Sequence, residues 1–400
     1  MTTLNPQPAS TAMNFLDVLG AMLAVSDKVS DLIFSPGRPP QVELHSKLQG
    51  VHVPGLDKLT PAHTAGIAKL LIGTQQVAAE NLEKFGSTDL SFSAPGVSRF
   101  RVNIFMQRSS HAIVMRVIPA RPPQWADFNL PPQLRDIAEL KNGLVLVTGP
   151  TGSGKSTTLA AVIDLINDTK AYHIVTIEDP IEFLHTHKQS TIHQRELHSD
   201  VPSFALALRA ALRQAPKVIL VGEMRDRETI EVALEAAETG HLVLSTLHTI
   251  DASKTVDRII GVFPKNEEAV IRARLAQTFR YIVSQRLLPR ADRQGRVAAI
   301  EILKSTARTR DYMEKGEKEG KTLIDAMEQG ELEGMQTFDA VIERLIRDGV
   351  VNQDEALAYA SNSGNLQLRL ADYGGPPPPP APAQSNGRGS GNTMLDMLDR

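Results

Sequence analysis

The chain reads Gly149-Pro150-Thr151-Gly152-Ser153-Gly154-Lys155-Ser156 directly after the apolar run Leu144 to Val147 and before the helix-like segment Thr157 to Asn167. The stretch fits G-x-x-x-x-G-K-[ST] in a strand-loop-helix setting, the pattern of a phosphate-binding P-loop. Its glycines let backbone N–H groups approach phosphate, the lysine reaches the outer phosphates and the serine hydroxyl holds Mg²⁺. We therefore predict that the residues from Gly149 to Thr157 bind a nucleoside triphosphate.

Further apolar runs alternate with helical patterns after this loop, at Ile174 to Ile177, Val218 to Val221 and Leu242 to Leu244. Runs that are apolar throughout indicate strands buried on both faces, and hence a parallel sheet covered by helices. Helical patterns continue through Glu267 to Val283 and Phe338 to Asp348. The sequence predicts an α/β domain with a helical carboxy-terminal portion.

Carboxylates follow two of these runs, where the strands of an open α/β sheet present their carboxyl ends to a ligand. Glu223 follows Val221, which resembles a Walker B site with Glu in place of Asp, and Glu178, Asp179 and Glu182 follow Ile177. Hydrolysis of a triphosphate needs one carboxylate to order Mg²⁺ and another to orient or deprotonate water. The spacing leaves open which of Glu178, Asp179 and Glu182 is the base.

Histidines and arginines supply further candidates. His248 follows the fourth apolar run and is predicted to reach the same edge, whereas His241 lies one strand-length earlier, where a structural role is the ordinary interpretation. Arginines from a neighbouring subunit often neutralise developing charge in phosphoryl transfer, although surface arginines on strands are also common. The residues open to both interpretations are Arg99, Arg101, Arg108 and Arg116.

Composition limits the remaining possibilities. A chain of 400 residues favours two folded units. A net charge of −3 and 4% aromatic residues argue against a nucleic-acid partner. The lack of cysteine excludes disulfides, iron–sulfur clusters and tetracysteine zinc modules. No signal peptide or membrane-spanning run is recognisable, so we expect a soluble cytoplasmic protein.

The predicted organisation follows from local patterns. A small α+β domain is expected before a proline-rich linker that would serve as the hinge, and the end of the chain is rich in Pro, Gly and Ser. The last residues, Met394 to Asp399, either form a short turn that docks on a partner or fray in solvent. The predicted segments are a disordered start at 1–13, an amino-terminal domain at 14–118, the linker at 119–134, the α/β domain at 135–370 and a disordered tail at 371–400.

Taken together, four ordered motifs resemble the Walker A, Asp box, Walker B and His box of secretion-type ATPases. They are Gly149 to Ser156, Ile177 to Phe183, Ile219 to Asp226 and Thr239 to Thr249. From about Asn14 to Arg347 the chain is similar to the PilT-type pilus retraction ATPases of the type II/IV secretion ATPase superfamily.

This resemblance implies a PAS-like amino-terminal domain linked to a RecA-like P-loop ATPase domain, assembled as a homohexamer with ATP between subunits. It implies Lys155 on the phosphates, Ser156 and Glu223 at Mg²⁺, and Glu182 as the preferred base. His241 and His248 would lie near the phosphate, and Arg101 and Arg116 would approach it. The implied partner is an inner-membrane pilus platform protein, with the ring associated peripherally at the pilus base.

The chain departs from the family pattern at Ala215-Pro216-Lys217, where an Asp-Pro-Asp run is usual, and at Ala307 to Glu314, where the family has its carboxy-terminal signature. A pilus-assembly ATPase, a type II secretion ATPase and an accessory retraction ATPase are therefore alternatives. Two other classes remain for comparison, a RecA-like nucleic-acid motor and a regulatory module that holds ATP without turnover. The first is disfavoured by charge and composition, and the second by the retained carboxylates.

Overall fold

The computed structural model describes residues 14–45, 47–119, 121–293 and 295–371. The predicted disordered start at 1–13 lies outside the described residues, and so does the predicted tail from residue 372 onward, including Met394 to Asp399. Among the described residues, no helix is long and apolar enough to cross a membrane.

The amino-terminal part is an antiparallel sheet packed against helices. Its strands run in the order β3-β2-β1-β6-β5-β4. The core beneath the sheet includes the fully buried rings of Phe34 and Phe100. The elements in chain order are α1 Phe15–Leu23, β1 Asp31–Phe34, β2 Gln41–Leu44, β3 Lys47–Gly50, α2 Pro61–Ile72, α3 Gln76–Phe85, β4 Ser87–Ala94, β5 Ser98–Gln107 and β6 Ser110–Ile118.

Tight turns set the register of this sheet. Arg108 and Ser109 join β5 to β6 with φ values of 45° and 59°, the backbone that a two-residue hairpin requires. The chain reverses at His45, where φ is 51°, so β2 and β3 pair as a hairpin.

Part of the predicted linker packs as ordered structure. Short 3₁₀ helices span Trp125–Asp127 and Pro132–Glu139. Leu134 is fully buried in a core that it shares with residues of the next strand and helix. The guanidinium of Arg135 lies 5.3 Å from the centre of the Trp125 ring. A hinge here would be confined to residues before Trp125.

The α/β part contains a sheet in the order β13-β12-β7-β11-β10-β8-β9. Neighbouring strands from β12 to β9 are parallel. The elements are β7 Gly143–Thr148, α4 Lys155–Thr169, β8 His173–Glu178, β9 Thr191–Glu196, α5 Phe204–Ala211, β10 Val218–Val221, α6 Arg227–Glu238, β11 Leu242–Leu247, α7 Ala252–Ile260, α8 Glu268–Thr278, β12 Phe279–Pro289, β13 Arg296–Lys304, α9 Ala307–Lys315 and α10 Leu323–Glu328.

The buried strands confirm the predicted parallel sheet. Leu144 and Leu146 of β7 face one core, whereas Val145 and Val147 face the core on the other side. A strand that is apolar on both faces in this way needs helices above and below it. The prediction of a helix through Val283 was wrong, because the helix ends at Thr278 and β12 begins at Phe279. Hydrogen bonding to β7 makes residues 279–283 a strand despite their helical pattern.

A second compact unit comprises the described residues of 288–297 and 338–371. It contains α11 Phe338–Arg347, α12 Gln353–Leu357 and α13 Ser363–Arg369. The carboxylate of Asp339 accepts hydrogen bonds from the backbone N–H groups of Ser361 at 2.6 Å and Asn362 at 2.9 Å, which ties the chain before α13 to α11. These helices confirm the predicted helical carboxy-terminal portion.

Candidate nucleotide site

The central strands bring the predicted motifs to one edge of the sheet. In the parallel register Thr148 lies beside Leu247, and Val221 lies between Ser245 and Ile177. The loops that follow these strands therefore leave the sheet at the same edge. This is the edge at which open α/β sheets bind ligands.

The P-loop has the backbone that phosphate binding requires. Gly149 has a φ of 142°, and a Cβ there would collide with the carbonyl oxygen of Gln285. Gly154, at φ 91°, leads into the first turn of α4. Nζ of Lys155 donates to the carbonyl oxygens of Gly149 at 2.9 Å and Pro150 at 3.2 Å. The lysine therefore folds back onto the loop. No side chain caps the N-terminus of α4, where free backbone N–H groups favour an anion.

Glu223 is fixed by backbone bonds on both sides. The N–H of Gly222 donates to Ile177 O at 2.7 Å, and the N–H of Met224 donates to Thr246 O at 3.2 Å. The hydroxyl of Thr246 also donates to Gly222 O at 2.6 Å. Glu223 is thus held between the ends of β8 and β11. Its side chain is 13% exposed and its Oε2 lies 2.6 Å from Nε of Arg225.

The acidic residues after β8 have different surroundings. Oε1 of Glu178 accepts from the Thr176 hydroxyl at 2.6 Å and from Nε2 of Gln194 at 3.0 Å. Burial raises the pKa of the Glu178 carboxyl, although these two donors oppose the shift. Asp179 and Glu182 are exposed. Glu178 is therefore built into the fold, whereas Glu182 is free to meet a ligand.

Charge interactions show which groups converge. Burial lowers the pKa of the Lys155 ammonium, while the carboxylates of Glu182 and Glu223 act in the opposite direction. Burial and the charge of Lys155 lower the pKa of His248. Nε2 of His248 lies 3.7 Å from Oε2 of Glu223. The structure thus brings Lys155, Glu182, Glu223 and His248 together, and leaves the imidazole neutral near pH 7.

A cleft of about 590 Å³ opens beside these groups. Its lining includes Thr151 of the P-loop, Glu223, His248 and the guanidinium-bearing residues Arg225 and Arg258. Sequence reasoning missed Arg258, because a charged residue on the amphipathic helix α7 carries no signal that it faces a ligand. The cleft is thus lined by opposite charges, as a site for a metal–triphosphate complex requires.

Other predicted site residues lie elsewhere in this chain. His241 precedes β11, at the opposite end from His248, and its Nδ1 lies 3.0 Å from Ala236 O. Arg101 and Arg116 are register partners on β5 and β6, and Nε of Arg116 donates to Asp31 at 3.0 Å. The described structure does not bring these three to the cleft, so their roles stay predictions.

Arg99 and Arg108 also have other positions. The guanidinium of Arg99 is bound to Glu196 of β9 in the same chain, and Arg108 occupies the β5–β6 turn. Arg99 is therefore engaged within its own chain rather than free to reach a neighbouring subunit.

The comparison with known families decides the relationship. Residues 88–361 match the model of the family described as type II/IV secretion system protein.

The chain belongs to that family. It is 45% identical over 296 residues to the type IV pilus retractation ATPase PilT of Pseudomonas aeruginosa, covering 74% of this chain and 84% of that protein. It is 44% identical over 331 residues to a twitching motility protein of Neisseria gonorrhoeae, covering 82% of this chain and 86% of that one.

A solved structure agrees with these relatives. The crystal structure of the pilus retraction motor PilT with bound ADP matches with a TM-score of 0.79 and 40% identity, covering 89% of this chain and 99% of that one. The likeness confirms the predicted fold class and the resemblance to pilus retraction ATPases.

Proposed function

We propose that this family member hydrolyses ATP in the cleft beside the P-loop and uses the energy to retract a type IV pilus. The observation that carries the proposal is the convergence of Lys155, Glu182, Glu223 and His248 at the P-loop edge. The similarity to relatives named for pilus retraction and twitching motility supports the mechanical output.

Each converging group has a distinct task in this proposal. The Lys155 ammonium and the N–H groups of the P-loop hold the phosphates, so Lys155 exchanges its carbonyl partners for phosphate oxygens. Glu182 is exposed and its charge acts on the Lys155 ammonium. In this proposal it orients and deprotonates the attacking water. The neutral His248 donates a hydrogen bond toward the outer phosphate.

The residues fit Mg²⁺ through their chemistry. Glu223 and Ser156 offer oxygen ligands, which Mg²⁺ prefers, and Glu223 already attracts a cation in Arg225. Within the described part of the chain, no group of three His, Cys, Asp or Glu side chains could hold a metal by itself. The remaining ligands would be water and the nucleotide phosphates, where the metal would neutralise charge.

A homohexameric ring completes the site in this account. Arg101 and Arg116 are exposed on the amino-terminal sheet and do not line the cleft of their own chain. We therefore assign them to the nucleotide of a neighbouring subunit. Closure of each cleft on ATP and its reopening after hydrolysis would displace an inner-membrane platform protein. The ring would act at the cytoplasmic side of the pilus base.

The experiment is a count of surface pili in a deletion strain that is complemented with the wild-type gene or with Lys155→Ala. We expect excess pili and lost twitching in the deletion, both rescued by the wild type and not by Lys155→Ala. Cells without pili would overturn the proposal in favour of an assembly motor. An unchanged count would also contradict it and indicate an accessory role.

A further inference from the structure

The carboxylate of Glu196, at the end of β9, joins two parts of the molecule. Its Oε2 accepts from the guanidinium of Arg99 at 2.6 Å and from the hydroxyl of Ser91 at 2.9 Å. Both donors belong to the amino-terminal sheet. The side chains of Arg99 and Glu196 are 17% and 6% exposed, so this ion pair is shielded from solvent.

The same oxygen also reaches residues 178–183 of the nucleotide site, which we call the acidic loop. The backbone N–H of Ile181 donates to Oε2 of Glu196 at 3.0 Å. Ile181 is buried and directly precedes Glu182, the proposed base. One carboxylate oxygen thus connects β4 and β5 of the amino-terminal sheet to the residue next to Glu182. We call Ser91, Arg99, Ile181 and Glu196 the Glu196 junction.

Strand β9 also binds both ends of this acidic loop. Gln194, two residues before Glu196 and on the same face of the strand, donates to Glu178 Oε1 at 3.0 Å and to Phe183 O at 2.9 Å. The N–H of Leu197 donates to Glu178 O at 2.8 Å. Within this loop, Ile181 is therefore the residue whose N–H binds the same Glu196 oxygen that the amino-terminal sheet binds.

The docked junction leaves one buried polar atom unsatisfied. Nε of Arg99 is buried without a hydrogen-bond partner among the described residues, so docking leaves a donor unsatisfied. If Arg99 leaves, Glu196 becomes a buried carboxylate without a cation, which favours its rotation toward water. That rotation removes the acceptor of the Ile181 N–H.

We propose that Glu196 is a positioning residue that couples docking of the amino-terminal domain to the placement of Glu182. With Arg99 docked, the Ile181 N–H is held and Glu182 faces Lys155. With Arg99 withdrawn, the loop loosens and the base leaves its position. The catalytic part of this inference depends on the proposed role of Glu182, whereas the structural part does not.

The test is hydrogen exchange of the full chain, followed in peptides that cover Ile181 and Glu182. We expect Arg99→Met and Glu196→Gln to speed exchange at Ile181 by about tenfold or more, because each weakens a charge-assisted hydrogen bond. Arg38→Met, which changes an exposed arginine of the same domain, is the matched control and leaves exchange unchanged. Unaltered exchange at Ile181 in Arg99→Met would overturn the coupling.

Turnover measurements separate positioning from a general structural defect. Arg99→Met is expected to lower kcat by about tenfold with KM for ATP within about twofold, and Arg99→Lys to restore most of it. In a Glu182→Gln background, Arg99→Met should cause no further loss. If Arg99→Met lowers kcat by the same factor with and without Glu182→Gln, Arg99 does not act through Glu182. If the proposed function is wrong, the wild type will show no ATP turnover. The exchange measurement will still decide whether docking of the amino-terminal domain is coupled to the loop at Ile181.

Discussion

The Nε atom of Arg225 lies 2.6 Å from Oε2 of Glu223, the carboxylate that we propose as a ligand of Mg²⁺. Both residues line the cleft beside the P-loop. An oxygen that accepts from a guanidinium has less capacity to bind a metal, so Arg225 and Mg²⁺ compete for the same carboxylate.

We therefore expect Arg225→Ala to lower the Mg²⁺ concentration needed for half-maximal ATP turnover by about two- to fivefold, because the pair is open to solvent on its arginine side and contributes little free energy. A metal titration of steady-state turnover measures this. Arg209→Ala removes an ion pair of the same N–O distance, 2.6 Å to Glu228, and is the control. A higher Mg²⁺ requirement in Arg225→Ala would show that the arginine orients Glu223 for the metal instead.

Lys155 is expected to account for much of the nucleotide affinity. Its ammonium bonds to loop carbonyls at 2.9 and 3.2 Å and would transfer to phosphate oxygens. If these charge-assisted bonds contribute about 3 kcal/mol together, Lys155→Ala should bind the nucleotide about 100-fold more weakly. Equilibrium binding of a fluorescent ATP analogue measures it, with Lys170→Ala, at the other end of α4, as the control. Affinity within about threefold of wild type would remove Lys155 from the phosphate site.

Stability should depend on pH through Glu178. Burial raises its pKa in the folded state, so the folded protein binds this proton more tightly than the unfolded chain. The resulting stability is fully present below the unfolded pKa and is lost as pH rises through the folded value. Glu178→Gln removes this titration and keeps an oxygen acceptor for Thr176 and Gln194.

The Tm of Glu178→Gln relative to the wild type should accordingly be higher at pH 8 than at pH 5, as measured by thermal denaturation at both values. Glu80→Gln, which changes an exposed carboxylate of α3, controls for the loss of a negative charge. A Tm difference that stays constant or falls with pH would contradict the assignment.

A mixing experiment tests the arginines. Subunits with Lys155→Ala retain Arg101 and Arg116, and subunits with Arg101→Ala retain the P-loop. If Arg101 acts on the nucleotide of a neighbour, mixed rings should turn over more ATP than the sum of the two separate preparations. A mixture that only equals that sum would show that Arg101 acts within its own subunit or not at all.

The sequence predicted the features that depend on local pattern. Strands such as β7 and β10 are apolar throughout, so their burial and parallel pairing followed from composition alone. The placement of Glu223 and His248 followed because parallel strands end at a common edge. The start of β12 could not be predicted, because Phe279 to Val283 continue a helical pattern and only the free edge of β7 makes them a strand.

The remaining site features depend on packing between distant segments. The spacing of Glu178 and Glu182 did not distinguish them, whereas the bonds from Thr176 and Gln194 show that Glu178 is built into the fold. Likewise, the contact between Arg99 and Glu196 joins residues 97 positions apart, and no local pattern indicates it.

Retraction is tested most directly by observing labelled pili on living cells of a deletion strain that carries either the wild-type gene or Glu182→Gln. We expect pili to assemble in both, with retraction events restored by the wild type and lost with Glu182→Gln, because the variant binds ATP but lacks the base. Retraction at the wild-type rate with Glu182→Gln would contradict the assignment of the base. A failure of the deletion strain to assemble pili would contradict retraction as the function.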